Sequence, residues 1–223
     1  NWLGLRLSGR SSSPPQRANE DHRDAIRPFE RDARDAVAIE SGPMTPLPDP
    51  PWVFAYGSLM WNPGFPFTEQ QSAQLFGYHR AFCIYSQHHR GTQKTPGLVL
   101  GLDTGGECHG LAFRVAPDDW PSTCTYLNER ELVGDYAYVP KVVEVTLTTG
   151  KVAALTYVAN PDHKNYAGPL PVKTKAQVIL RASGIGGRNL DYLIELVCKL
   201  ESLGHHEPDL ATLLDLVTAA GGN

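Results

Sequence analysis

The order in which apolar patterns appear along this chain constrains its fold more than any other feature. Between residues 53 and 158 the apolar residues fall in short, strand-like runs; beyond residue 175 they recur at helical spacing. The strand-like runs are Val53–Tyr56, Ala81–Tyr85, Leu98–Leu102, His109–Val115, Val139–Thr148 and Lys151–Val158. Asp103-Thr104-Gly105-Gly106 reads as a turn between the third and fourth runs, and Thr149-Gly150 as the turn of a hairpin between the last two. One helix interrupts the series. It opens at Pro117-Asp118-Asp119-Trp120, where acids suit the positive end of the helix dipole, and is predicted to run through Leu132 and stop near Gly134. Helices then follow at Lys175–Ala182, Asn189–Leu203 and Leu210–Ala220, with Gly184, Gly186 and Gly187 between the first two. Strands first and helices later indicate an α+β fold rather than the regular βα alternation of a doubly wound sheet. The Gly184–Gly187 cluster lies between helices, not after a strand, so it does not qualify as a dinucleotide-binding loop.

Residues 1–50 have a different character. Arg6, Arg10 and Arg17 precede the first acid, Ser11-Ser12-Ser13-Pro14-Pro15 interrupts them, and Pro43, Pro46, Pro48, Pro50 and Pro51 form an extended tract. This stretch is expected to be a disordered extension with a Pro-rich linker, the folded domain spanning residues 51–223 and a functional start at Met44. The chain of 223 residues carries a formal charge of −4, which argues against a nucleic-acid surface. No apolar run approaches the roughly 20 residues that span a bilayer. Cys83, Cys108, Cys124 and Cys198 show no Cys-x-x-Cys pair, so four free thiols in a reducing, cytoplasmic setting are expected.

Within the domain, Val53-Phe-Ala-Tyr-Gly-Ser-Leu-Met-Trp61 has the shape of a buried strand ending at a tight, ligand-facing turn. Glycine at position 57 permits positive φ or close backbone approach, and successive N–H groups there can form an anion-binding nest. Ser58 lacks the second glycine of a nucleophile elbow and reads as a turn serine. His88-His89 and His205-His206 are sequence neighbours without the i, i+4 spacing of metal ligands, so they read as loop histidines and no metal is expected. Glu131 closes the predicted helix. A carboxylate gains nothing from the dipole at a helix C-terminus, so its position is odd, but pattern alone leaves it a solvated helix end.

Several ordered blocks carry a family resemblance. They are Phe54-Ala-Tyr-Gly-Ser-Leu-Met-Trp-Asn-Pro63, His89-Arg-Gly-Thr92, Pro96-Gly-Leu-Val-Leu-Gly-Leu-Asp103, Gly110-Leu-Ala-Phe-Arg-Val115 and Tyr126-Leu-Asn-Glu-Arg-Glu131, with Tyr157–Pro161 and Asn165–Gly168 in support. Together they resemble the ChaC-like γ-glutamylcyclotransferases, in the glutathione-specific branch, from about Trp52 to the C-terminal helices. The resemblance implies a small mixed β-barrel with surrounding helices. It implies a substrate loop at Tyr56, Gly57, Ser58 and Leu59, and Glu131 as the catalytic acid/base. A tyrosine of a Gly-Gly-Tyr turn is also expected; here the turn reads Gly134-Asp135-Tyr136, which makes Tyr136 the first candidate for lining the pocket and Tyr138 the second.

The implied reaction converts glutathione to 5-oxoproline and cysteinylglycine without cofactor, metal or water. The substrate's own α-amine attacks its γ-carbonyl, and one carboxylate moves the protons. A Glu whose pKa is raised by an apolar pocket would suit that task. Two alternatives stand beside this reading: a cyclotransferase for other γ-glutamyl amino acids or amines, and a non-catalytic γ-glutamyl-binding protein.

Overall fold

The structure, a computed structural model, describes residues 51–132 and 137–221. The expected extension at residues 1–50 therefore lies outside the described residues, as does Tyr136.

Five strands close into a barrel in the order β1-β3-β2-β4-β5. They are β1 (Trp52–Ala55), β2 (Glu69–Ser86), β3 (Gly97–Arg114), β4 (Tyr138–Leu147) and β5 (Gly150–Ala159). Neighbours pair antiparallel except at the seam, where β1 meets β5 in parallel through Val53 and Leu155. Helix α1 (Trp120–Glu131) lies between β3 and β4; α2 (Val172–Arg181), α3 (Asn189–Ser202) and α4 (Pro208–Gly221) follow the barrel. This is the expected α+β architecture of a mixed barrel with helices around it.

The period-2 geometry of strands sorts side chains onto two faces. Val53 and Ala55 join the core shared with the helices, which includes Leu127, Ile179, Leu193, Leu196 and Leu213. Trp52 and Phe54 point the other way, into a cluster drawn from the five strands that includes Leu75, Leu102, Ala112, Val145 and Ala154.

One expectation fails. Leu98–Leu102 and His109–Val115 are not two strands joined by a turn but the two halves of β3, 18 residues long, which stays paired with the equally long β2. Gly105 and Gly106, at φ 95° and 70°, together oppose the single residue Gly77, at φ 85°. The ladder resumes on either side, between Tyr78 and Thr104 and between Phe76 and Glu107. The positive-φ glycines thus make a bulge that bends a continuous ribbon, not a chain reversal.

The Gly184–Gly187 cluster forms a two-residue hairpin, β6 (Ser183–Gly184) with β7 (Gly187–Arg188). It braces the loop after β2: Ile185 and Gly186 donate their N–H groups to the carbonyls of His88 and His89 at 3.0 and 2.8 Å. A Cβ at Gly184 would lie 2.3 Å from the His88 oxygen, so only glycine fits there.

Candidate functional site

Strand β1 is buried along its whole length and delivers the chain to a single 3₁₀ turn at Ser58–Met60. Met60 donates its N–H to the Gly57 carbonyl at 2.9 Å, and Asn62 donates to Ser58 O at 2.9 Å. Leu59 and Met60 are buried and anchor the turn, while Ser58 is exposed. Gly57 has φ −132°, so the freedom of positive φ is not what the turn uses. Nor is the packing prohibitive: a Cβ there would lie 3.4 Å from Cδ2 of Leu100, an ordinary van der Waals contact. Beneath the turn the buried Arg80 donates from Nε to the Tyr56 carbonyl at 2.5 Å, and its other nitrogens reach the His109 carbonyl and the Glu207 carboxylate.

Helix α1 brings the carboxylate. Pro121 in its first turn suits a helix start, and Trp120, Thr123 and Leu127 form its buried stripe. Tyr157 on β5 donates its hydroxyl to Asn128 Oδ1 at 2.8 Å, docking the end of the helix against the barrel. Glu131 is the last helical residue, with its side chain 18% exposed.

The two parts meet in one cleft, about 420 Å³ counting its open mouth. Of the residues picked from sequence, Tyr56, Gly57, Ser58, Leu59 and Glu131 line it, and Tyr136 lies outside the described residues. Tyr138, the second candidate tyrosine, lines it too and donates its hydroxyl to the Leu100 carbonyl at 2.5 Å. Phe54, Leu100, Thr156, Tyr157 and Tyr192 complete the lining and were not anticipated. Their sequence signal is weak because each falls inside a strand or helix, where an apolar, aromatic or β-branched residue reads as part of the element itself. Arg80 was also missed, although an arginine directly before the apolar run Ala81–Tyr85 is a visible anomaly.

Burial pushes the Glu131 carboxyl above the ordinary carboxylate range, and the neighbouring Arg130 partly opposes that shift. The hydroxyls of Tyr56 and Tyr138 are pushed well above the usual phenol value, chiefly by burial, with Glu131 adding to the shift. Burial likewise raises Tyr157. These tyrosines therefore stand as neutral hydrogen-bonding groups around a carboxyl that holds its proton more tightly than an exposed glutamate does. The thiols of Cys83 and Cys108 are buried and pushed up to about 12, which keeps them protonated and removes them as nucleophiles. Ser58 Oγ accepts a hydrogen bond from Arg130 Nη2 at 2.8 Å, in line with a turn serine rather than a nucleophile. Among the described residues no group of three or more His, Cys, Asp or Glu could hold a metal ion, and His88, His89 and His206 are exposed. Nor is any described helix long and apolar enough to cross a membrane.

Residues 51–220 match the model of the ChaC-like protein family. A glutathione-specific γ-glutamylcyclotransferase of Escherichia coli K12 is 37% identical over 166 residues, covering 74% of this chain and 71% of the relative. Glutathione-specific γ-glutamylcyclotransferase 1 of Homo sapiens is 36% identical over 176 residues, covering 74% and 78%. Among solved structures, a yeast γ-glutamylcyclotransferase specific to glutathione superposes with a TM-score of 0.66 at 26% identity, covering 76% of this chain and 98% of that one.

Proposed function

The chain belongs to the ChaC-like family, and from that premise we propose that it cleaves glutathione by cyclising the γ-glutamyl group, releasing 5-oxoproline and cysteinylglycine. The observation that carries this reading is Glu131: a largely buried carboxyl, its pKa raised by burial, in the same cleft as the Tyr56–Leu59 turn.

In this mechanism the turn holds the γ-glutamyl end. The first amides of a 3₁₀ turn have no partner within the turn, so they suit the α-carboxylate or the developing oxyanion. Holding the arm folded brings the α-nitrogen onto the γ-carbon, which turns ring closure into a favoured intramolecular attack. The α-nitrogen arrives as an ammonium, and Glu131 takes one proton from it. The freed lone pair attacks the γ-carbonyl carbon, and the C–N bond to the cysteinyl residue breaks as Glu131 returns the proton to the departing nitrogen. A second proton follows the same route, so the lactam keeps one hydrogen and cysteinylglycine leaves as an ammonium. No water is consumed. The neutral tyrosines of the cleft keep the pocket poor in competing charge. Four free cysteines and a thiol substrate both suit a reducing compartment, and we place the enzyme in the cytoplasm on that ground.

The test is incubation with reduced glutathione and, separately, with γ-glutamyl-alanine, followed by assay of 5-oxoproline. Release from glutathione that survives a metal chelator is expected. Release from γ-glutamyl-alanine alone would move the substrate to other γ-glutamyl amino acids, and no release from either would remove the catalytic reading.

A further inference from the structure

Arg130 makes more contacts at this site than any role assigned so far accounts for. Its Nη1 donates to the Asn62 carbonyl at 2.9 Å and to the Tyr126 hydroxyl at 2.7 Å; its Nη2 donates to Ser58 Oγ at 2.8 Å. Its Nε lies 3.4 Å from Oε1 of Glu131. The side chain is 22% exposed, and Tyr126 also presents its ring to the guanidinium at 6.0 Å. One planar group thus touches both ends of the substrate turn, at Ser58 and Asn62, and the carboxylate that faces that turn. A guanidinium is suited to this because its donors diverge in a fixed fork and it stays charged at all working pH.

We propose that Arg130 is a positioning residue with two tasks: it fastens the Ser58–Asn62 turn to helix α1, and it holds positive charge against Glu131 so that this carboxylate is ionised when substrate arrives. The inference rests on the acid/base role given to Glu131 above.

The charge balance around Glu131 shows why the second task is needed. The groups that face it are Tyr56 just after β1, Tyr138 from β4, Tyr157 from β5 and Tyr192 from α3, and none of these is a cation. Among the described residues lining the cleft there is no Lys, Arg or His. Glu131 also ends a helix, where the dipole disfavours a negative charge and favours a positive one. Burial and dipole both push the carboxyl toward its neutral form, which cannot accept a proton from the substrate ammonium. Arg130 is the group that works against them, and it is attached one residue away on the same helix end, so the pair moves as a unit.

Three variants separate the two tasks. Arg130→Gln removes the charge, Arg130→Lys keeps the charge but not the fork, and Ser58→Ala removes the turn contact alone. The Glu131 carboxyl is followed by NMR titration, with Glu131→Gln used to assign its signal, and kcat and KM for glutathione are measured against pH. In Arg130→Gln the Glu131 titration and the acid limb of kcat are expected to move together to higher pH. In Arg130→Lys the titration should stay near that of the unsubstituted protein while KM rises. Ser58→Ala should raise KM by roughly tenfold, the size of one hydrogen bond to a charged group, and leave the limb in place. If Glu131 titrates at the same pH in Arg130→Gln as in the unsubstituted protein, the charge role is overturned. An unchanged KM in both Arg130→Lys and Ser58→Ala overturns the fastening role. The titration needs no turnover, so it decides the charge role even if glutathione proves not to be the substrate.

Discussion

At the scale of single residues the site turns on Glu131, and substituting it tests activity and stability at once. Glu131→Gln keeps the size of the side chain but removes the carboxylate proposed as the base. We expect kcat to fall by about 10²–10⁴-fold, the usual contribution of a positioned acid/base, with glutathione affinity largely retained because the turn at Gly57-Ser58 is intact. Glu129 is the internal control: it is exposed, and helical geometry turns it roughly 200° from Glu131. Glu129→Gln should leave kcat within a few-fold. The pKa shift adds a sign. Because burial raises the Glu131 pKa above its ordinary 4.5, the folded state binds this proton more tightly than the unfolded chain does. The stability Glu131 contributes is fully present below pH 4.5 and is lost as pH rises through the raised value. At neutral pH, Glu131→Gln should therefore melt above the unsubstituted protein, and thermal melts at falling pH should show the gap closing. A near-normal kcat, or a variant that melts lower at neutral pH, would contradict the picture of a carboxylate ionised in the cleft at the expense of stability.

At the scale of elements, the cleft depends on how α3 is tied to β3. Asn189 opens α3, is fully buried, and uses its side-chain amide as a strand edge: Oδ1 accepts from the Leu98 N–H at 2.6 Å and Nδ2 donates to the Leu98 carbonyl at 2.7 Å. This fixes the helix that carries Tyr192 beside the strand that carries Leu100, and both residues line the cleft. Asn189→Ala leaves two buried backbone groups of Leu98 without these partners, a loss of about 2–5 kcal/mol. Differential scanning calorimetry should record a lower Tm, and KM should rise because Tyr192 loses its bracing; a melt within a degree of the unsubstituted protein would show that the amide pair is dispensable. The sequence announces neither Asn189 nor the full length of β2. Residues 69–80 are mostly polar, Glu-Gln-Gln-Ser-Ala-Gln-Leu-Phe-Gly-Tyr-His-Arg, and are strand because β3 pairs with them, not because of an apolar run of their own. The same long-range pairing makes Gly105-Gly106 a bulge where local chemistry reads a turn. By contrast, β1 and β5 are legible within a few residues as short apolar runs, β4 by its turn to β5 at Thr149-Gly150, and α1 to α4 by apolar residues at helical spacing.

At the scale of the whole molecule, the segregation of strand and helix patterns was enough to give α+β, but closure of the barrel was not. The seam pairs Val53 with Leu155 across 102 positions, and no local periodicity encodes that contact. The family resemblance supplied both the barrel and the union of Glu131 with the Tyr56–Leu59 turn, which are far apart in the chain and lie in one cleft. The same division of labour bears on residues 1–50. The family match begins at residue 51, and every described residue that lines the cleft lies at or beyond Phe54. The β1 residues Trp52–Ala55 are already paired with β3 and buried, so the barrel's first strand needs nothing upstream of Pro51 to complete its ladder. A chain beginning at Met44 should accordingly keep its rate of 5-oxoproline release from glutathione and its Tm. For a domain of this size each kcal/mol of lost stability lowers Tm by about 2–4 °C, so a contribution from residues 1–43 would register in a thermal melt even if activity did not change. Equal melts and equal kcat and KM would establish that folding and catalysis both reside in residues 44–223, whereas a Tm lowered by several degrees would show that the N-terminal stretch docks on the barrel and stabilises it.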